Sequence, residues 1–214
     1  MADLRAAPGV FAVFVSWHGV EMTDQPVSVR ALSGPPGEAV LHEAALAHLA
    51  RYATTRQGLT RVLDRRVLRW AREVAAPGEL VQAGRERVRA VVARLVAAGL
   101  VDDAAFAASR ARSLARAGRS RRAVAAHLAA RGVAGEVARS VLPDDPGVEL
   151  AAALACARRR RIGPFRVGPP ADAAVRLREL GILARAGFAQ DVASRALGMT
   201  LEAAEALVID LRRL

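Results

Sequence analysis

Apolar residues recur at helical spacing along most of the chain, from Glu38 to its end. Apolar neighbours three and four positions apart indicate amphipathic helices. This spacing predicts helices over about 38–52, from Thr54 onward, 85–98, 103–117 and from Ser120 to Gly132. It also predicts a short helix through Val137, Val141 and Leu142, a helix through Leu150, Ala153 and Leu154 that ends in the run 158–161, and helices near 171–186, 189–197 and 201–213. No pair of segments in this body alternates in the way that predicts paired strands. We therefore expect an all-α protein.

Glycine, proline and capping residues divide these helices into groups. Gly99 is a helix stop, and Asp102 shortly after it can cap the next helix. A second break falls at Pro143–Pro146, because proline rarely continues a helix. Further N-cap candidates are the pair Thr54-Thr55, Ser120 and Thr200. We expect three successive helical units, over residues 38–98, 99–146 and 147–214.

Residues 1–37 differ from the rest and are predicted to be a flexible N-terminal tail. A short apolar segment, 9–15, follows Arg5 and is similar to the core of a signal peptide, but it has no clear cleavage site. We therefore expect a cytoplasmic protein. The breaker cluster Ser33–Gly37 separates the tail from the helices, so the tail should be dispensable, and Met22 is an alternative translation start.

Composition narrows the possible chemistry. The chain has 214 residues and is 53% hydrophobic but only 4% aromatic, which suits closely packed helices. Cys156 is its one cysteine, so an internal disulfide or a cysteine-based zinc site is excluded and a small core residue is expected. The four histidines lack metal-ligand spacing, and no run of about 18 apolar residues predicts a membrane helix. We expect no metal, no cofactor, no membrane contact and no catalytic residues.

All 32 basic residues are arginines, and most of them lie in the middle of the chain. Residues 51–161 carry 23 arginines and 10 acids, a net charge of +13. Residues 1–50 carry 2 arginines and 5 acids, a net charge of −3, and residues 162–214 carry 7 and 6, a net charge of +1. A GC-rich genome favours arginine but does not set where the charge lies. This concentration is expected to attract a polyanion or an acidic protein surface.

Two groups of arginines are the candidate binding residues. The first lies on and after the helix predicted at 103–117, away from its apolar face, and comprises Arg112, Arg116, Arg119, Arg121, Arg122 and Arg131. The second is the run Arg158, Arg159, Arg160 and Arg161. A solvated helix face is the alternative for the first group, and attraction to a helix C-terminus is the alternative for the run. The clustering of both groups favours partner contact.

The chain also repeats itself. A shift of 55 residues aligns 128–142 with 183–197, where seven of 15 positions are identical. A shift of 65 residues pairs Thr55, Leu59, Leu63 and Arg66 with Ser120, Val124, Leu128 and Arg131. Periods of this size indicate tandem helical repeats that bury their apolar faces on one another.

The stretch Gly99-Leu-Val-Asp-Asp-Ala-Ala-Phe-Ala107 resembles the central signature of the RecX family, G-L-[ILV]-D-D-x-x-F-A. The basic, glycine and apolar positions that follow in the family are matched by Arg112, Arg116, Gly118, Arg122, Val124, Leu128 and Arg131-Gly132-Val133. Residues 183–197 are similar to the family's third repeat and residues 45–66 to its first, so the resemblance covers about 38–214. The chain departs from the family at Arg110, where an aromatic residue is common.

The resemblance implies a fold of three tandem three-helix repeats in an elongated, curved body. It also implies a regulatory role, because RecX proteins bind the RecA recombinase and its filament on single-stranded DNA. They restrain recombinase, ATPase and co-protease activity in DNA repair, DNA recombination and the SOS response, without a catalytic site of their own. We expect a monomeric, non-enzymatic protein whose partners are RecA and the RecA–single-stranded DNA filament, with direct binding to DNA left open.

The C-terminal segment 190–209 favours a different function. Two apolar-periodic stretches with Gly198 between them also match the helix-turn-helix of a transcription regulator that reads duplex DNA. The second of these helices carries Glu202, Glu205 and Asp210, which DNA phosphates would repel. We therefore rank this alternative second.

Overall fold

The computed structural model describes residues 34–142 and 144–213, which fold into ten α-helices and one short 3₁₀ helix, Gly163–Phe165. The α-helices are α1 (Glu38–Leu49), α2 (Arg56–Glu73), α3 (Gly78–Ala97), α4 (Asp103–Arg116), α5 (Arg121–Ala130), α6 (Gly135–Val141), α7 (Pro146–Arg160), α8 (Ala173–Arg185), α9 (Gln190–Gly198) and α10 (Leu201–Arg213). No strand occurs within the two described ranges. The prediction of an all-α protein is confirmed.

Two helix boundaries differ from the prediction. The first helix ends at Leu49 instead of near residue 52, because the chain then extends to bring Thr55 into the N-cap conformation of α2. The third begins at Gly78 instead of near residue 85, because Pro77 supplies the extended N-cap backbone for it. The first difference leaves residues 50–55 in a connection between α1 and α2.

The predicted N-cap side chains are present. Thr55, Asp102, Ser120 and Thr200 each accept a hydrogen bond from a backbone N–H two or three residues ahead. Such caps satisfy amide groups that no carbonyl of the helix can reach, and each contributes about 1 kcal/mol to stability. Asp145 and Asp172, which the sequence analysis did not single out, cap α7 and α8 in the same way.

Buried apolar side chains form three clusters, each belonging to one group of consecutive helices: α1–α3, α4–α6 and α7–α10. The middle cluster consists of three alanines, two valines and one leucine. So small a core does not stabilise a domain alone, and the middle group therefore depends on its neighbours. Cys156 is buried in the third cluster, as predicted. The division into three repeats stays a prediction, which the three clusters favour.

Equivalent hydrogen bonds join each helix group to the next. Thr55 Oγ1, at the start of α2, donates to the backbone carbonyl of Arg131, just after α5, at 2.7 Å. Ser120 Oγ, at the start of α5, donates to the carbonyl of Ala186, just after α8, at 2.9 Å. Both hydroxyl-bearing residues are buried. The donors Thr55 and Ser120 are paired by the 65-residue shift, and the acceptors Arg131 and Ala186 by the 55-residue shift. The internal repetition therefore extends to these contacts between helix groups, which we call the joints.

Carboxylates strengthen the same two joints. Asp103 Oδ1, at the start of α4, accepts the backbone N–H of Arg56 at 2.7 Å. Glu149 Oε2, in the first turn of α7, accepts the backbone N–H of Arg121 at 2.9 Å. Burial raises the pKa of the Glu149 carboxyl, although this hydrogen bond and the charge of Arg121 act in the opposite direction. Each joint therefore places an acid of one group at the start of a helix in the preceding group.

The packed body begins earlier than the predicted tail boundary. Residues 1–33, and the prediction that they are flexible, lie outside the described part of the chain. Pro35 is buried against α3, where a Cβ added to Gly84 would lie 3.2 Å from its ring. Its carbonyl accepts a hydrogen bond from Arg87 Nη1 at 2.7 Å. Pro35 therefore belongs to the packed body and not to the tail.

Helices α9 and α10, which correspond to the helix-turn-helix alternative, belong to the packed third helix group and do not form a separate DNA-binding unit. Both α9 and α10 pack against α7. Helix α10 buries Ala204, Val208 and Leu211, whereas Glu202 and Glu205 are exposed. The solvent-facing side of α10 therefore carries the acidic charge that counts against a helix in the major groove.

Candidate functional site

All ten arginines predicted to bind a partner are exposed. Helix α4 carries Arg112 and Arg116, the α4–α5 connection Arg119, α5 and its C-terminal end Arg121, Arg122 and Arg131, and α7 and its C-terminal end Arg158, Arg159, Arg160 and Arg161. The structure does not gather all ten into one site. Instead, it distributes several of them over separate cavities, which differ in the acidic residues around them.

A cavity of about 360 Å³ between α4, α5 and α7 is lined by three of the predicted residues, Arg112, Arg119 and Arg121. Asp145 and Glu149 line the same cavity. The Arg121 guanidinium also forms an ion pair with Asp144 at 2.8 Å. The positive charge of this cavity is therefore largely balanced within the chain, which makes it a weaker polyanion site than its arginines suggest.

A second cavity, of about 170 Å³, brings together four arginines from three elements: Arg119, Arg159, Arg160 and Arg185. They come from the α4–α5 connection, the last turn of α7 and the end of α8. Among the described residues, no carboxylate lines this cavity. Four like charges without an acid between them favour a bound anion, and guanidinium groups pair well with phosphates and carboxylates. We call these four residues the arginine cluster.

Gly118 brings the arginine cluster together. It has a φ of +73°, and a Cβ at this position would lie 2.5 Å from the backbone nitrogen of Cys156. Glycine tolerates both this backbone conformation and this close approach, so the turn after α4 packs directly on α7. Arg159 Nη1 then donates to the carbonyl of Ala117 at 2.9 Å, which fixes its guanidinium on the turn that carries Arg119.

Arg185 is the member of the cluster that the sequence analysis missed. It is one of three arginines of α8, with Arg176 and Arg178, and nothing local distinguishes it from a solvated residue. The internal repeats give no signal either, because the 55-residue shift pairs Arg185 with Ala130. The joint at Ala186 places the end of α8 beside the start of α5.

A further group of cations surrounds His127 on α5. Arg110 Nε of α4 donates to His127 Nε2 at 3.4 Å. Burial lowers the pKa of His127 below its usual range, and the charges of Arg110, Arg131 and Arg119 lower it further. His127 therefore lies among three arginines on this side of the second helix group. In the sequence, Arg110 stands out only as a departure from the family pattern.

Other kinds of site are not found in residues 34–142 and 144–213. No three histidine, cysteine, aspartate or glutamate side chains lie together there in a way that could hold a metal ion. No helix in this part of the chain is both long enough and apolar enough to span a bilayer.

Joined helix groups and an exposed arginine cluster are the features of a helical binding protein. Residues 102–142 match the family described as "RecX, second three-helix domain". The regulatory protein RecX of Myxococcus xanthus (strain DK1622) is 41% identical over 157 residues, which cover 72% of this chain and 82% of that protein. The chain therefore belongs to the RecX family, and the resemblance found in its sequence is confirmed.

Two further relatives carry the same name. The regulatory protein RecX of Thermobifida fusca (strain YX) is 35% identical over 182 residues, 79% of this chain and 88% of that protein. That of Agrobacterium fabrum (strain C58 / ATCC 33970) is 36% identical over 110 residues, 51% of this chain and 58% of that protein. The likeness to the Thermobifida protein spans most of both chains.

Proposed function

We propose that this chain binds the RecA recombinase and its filament on single-stranded DNA, and that it thereby restrains recombinase, ATPase and co-protease activity. Membership of the RecX family supports a regulatory role for this chain. The observation that carries the proposal is the arginine cluster, in which four arginines line one cavity that no carboxylate of the described residues lines. A nucleoprotein filament offers the phosphates or acidic side chains that such a cluster attracts.

The repeated joints support this proposal because they hold the cluster in a fixed arrangement. Arg119 belongs to the second helix group and the other three members to the third, so their spacing depends on the contact between these groups. The Ser120 and Glu149 hydrogen bonds fasten that contact. A binding surface that is ordered beforehand loses less conformational entropy when its partner docks. Arg116, Arg158 and Arg161, at the ends of α4 and α7, would extend the same surface.

A charge-matched pair of variants tests the proposed surface. The cluster variant replaces Arg119, Arg159, Arg160 and Arg185 with alanine. The control variant replaces four exposed arginines of α2, Arg65, Arg66, Arg69 and Arg72, with alanine. Both lose four positive charges, but only the first loses the cluster. We expect the cluster variant to bind the RecA filament at least about tenfold more weakly and with a shallower dependence on salt, since each lost phosphate contact lowers the salt slope by about one.

The binding assay is co-sedimentation with filaments over a range of salt concentrations, and circular dichroism confirms that both variants are folded. Equal losses in the two variants would show that net charge, and not the cluster, governs binding. Three of the ten arginines predicted from the sequence belong to the cluster: Arg119, Arg159 and Arg160. The subset Arg112, Arg116, Arg119 and Arg122, on and after α4, shares only Arg119 with it. Its replacement by alanine should therefore weaken binding less than loss of the cluster. Sequence-specific duplex binding would favour the helix-turn-helix alternative.

A further inference from the structure

A third cavity, of about 620 Å³, lies between the first and second helix groups and shares no residue with the arginine cluster. The α1–α2 connection forms one side of it, and the turn before α4, α4 itself and the end of α5 form the rest. Its large side chains are three arginines, two aromatic residues and two leucines: Arg51, Arg110, Arg131, Tyr52, Phe106, Leu49 and Leu100. We call this cavity the aromatic cleft.

The charged groups of the aromatic cleft leave it net positive. Asp102 is the one carboxylate that lines it among the described residues, and its Oδ1 accepts two backbone N–H groups at the start of α4. A carboxylate in this position is already balanced by the positive end of the helix dipole. Burial, and then the charges of Arg110 and Arg131, lower the pKa of the neighbouring His127. Among the described residues, neither Arg110 nor Arg131 forms an ion pair with a carboxylate.

Tyr52 adds an aromatic surface to this cationic setting. Its side chain is 60% exposed, although large aromatic residues are mostly buried in folded proteins. The His48 ring lies beside it, with ring centroids 5.3 Å apart and planes tilted by 39°. This contact supports the tyrosine ring while most of it stays in solvent. Because α1 ends at Leu49, the connection that follows carries Tyr52 to the edge of the cleft.

An exposed ring among arginines matches the chemistry of single-stranded nucleic acid. Its bases stack on aromatic side chains, and its phosphates pair with cations along the groove. In a duplex, the bases are stacked inside the helix and do not reach such a ring. An acidic peptide would pair with the arginines and leave the ring uncovered. The combination of ring and charge therefore favours a single strand.

We propose that the aromatic cleft binds single-stranded nucleic acid, with one base on the Tyr52 ring and the flanking phosphates on Arg110 and Arg131. This binding requires only the chain itself. Its success or failure is therefore distinguishable from that of the proposed action on RecA.

Fluorescence anisotropy of a labelled oligodeoxyadenylate, titrated at low salt with the full chain and without RecA, tests the aromatic residue. Tyr52→Ala should weaken binding by about tenfold, because removal of a ring that stacks on one base has an effect of this order. Tyr52→Phe keeps the ring and should bind as the wild type does. The exposed position of Tyr52 means that neither substitution should disturb the fold, which thermal unfolding checks.

The same titration tests the cations. Arg110→Gln combined with Arg131→Gln should weaken binding and reduce the slope of log affinity against log salt by about 1.4, since each phosphate contact on a single strand accounts for about 0.7. The matched control combines Arg65→Gln with Arg69→Gln on the exposed side of α2. It loses the same charge outside the cleft and should bind nearly as the wild type does.

Several outcomes would overturn the proposal. Undetectable binding at low salt, or wild-type affinity in Tyr52→Ala, would show that the single strand does not bind in the aromatic cleft. An equal loss in the α2 control would reduce the interaction to non-specific attraction. A duplex that binds as tightly as the single strand, or an oligoglutamate that displaces the strand equally well from wild type and Tyr52→Ala, would assign the site to a different ligand.

Nuclear magnetic resonance gives a direct readout, because Tyr52 is the only tyrosine of the chain. Stacking of adenine should shift its ring resonances. Bound phosphates should also raise the pKa of His127 by offsetting the charges of Arg110, Arg131 and Arg119, which act on it from α4, the end of α5 and the α4–α5 connection. The bound chain then holds more protons than the free chain, so affinity should increase as the pH falls through the pKa of His127. Unshifted tyrosine signals at saturation would overturn the proposal.

Discussion

Replacing Arg166 with methionine should lower the free energy of unfolding by about 3–5 kcal/mol. Arg166 forms an ion pair with Glu179 of α8, whose side chain is only 4% exposed. The pair fastens the segment after the 3₁₀ helix to α8. Without the guanidinium, the carboxylate stays buried and loses its charge partner, and this uncompensated desolvation destabilises the folded state.

Urea unfolding followed by circular dichroism measures this effect. Adding Glu179→Leu to Arg166→Met should recover most of the lost stability, because no buried charge then remains. An exposed pair provides the control: Arg213→Met removes the partner of Asp210, where both side chains are largely solvated, and should change stability by less than about 1 kcal/mol. A loss of similar size in both single variants would contradict a special role for the buried pair.

Substitution of Gly118 by alanine should destabilise the protein by about 2–5 kcal/mol. Part of this is the cost of a side chain at a φ of +73°, about 1–2 kcal/mol. The larger part is the contact that the new Cβ would make 2.5 Å from the backbone nitrogen of Cys156, because the turn and α7 must then separate and packing is lost. Gly118→Ala should also weaken filament binding, since this turn positions Arg119.

Gly99→Ala is the matched control for this prediction. Gly99 has a φ of +71°, but a Cβ there would have no other atom within 4 Å. It should therefore show only the conformational cost, about 1–2 kcal/mol, and leave binding to the filament intact. The difference in unfolding free energy between the two variants measures the contact between the α4–α5 turn and α7. Identical losses would contradict that contact.

Local chemistry made much of the fold predictable. Asp102 and Ser120 were identified as N-caps because a short side-chain oxygen at the start of an apolar-periodic segment satisfies the nearby backbone N–H groups. Both residues cap helices. The start of α3 was not predicted, because no polar capping side chain precedes Gly78. Pro77 provides only the backbone conformation of an N-cap.

Long-range arrangement could not be derived from these local rules. Ser120 was predicted as a cap, but its hydroxyl also joins Ala186, 66 residues away along the chain. The same joint brings Arg119 and Arg185 to one cavity, and no spacing in the sequence encodes their meeting. Tyr52 gave no signal either, because its exposure depends on where α1 ends and on how α4 packs beside the connection.

Titrating the chain into RecA that is hydrolysing ATP on single-stranded DNA tests the proposed regulation most directly. Wild type and the α2 control variant should lower the hydrolysis rate with increasing concentration. The variant without Arg119, Arg159, Arg160 and Arg185 should leave the rate close to that of RecA alone at the same concentrations. Unchanged hydrolysis at saturating wild-type chain would contradict regulation of RecA, and full inhibition by the folded cluster variant would contradict the arginine cluster as its docking surface.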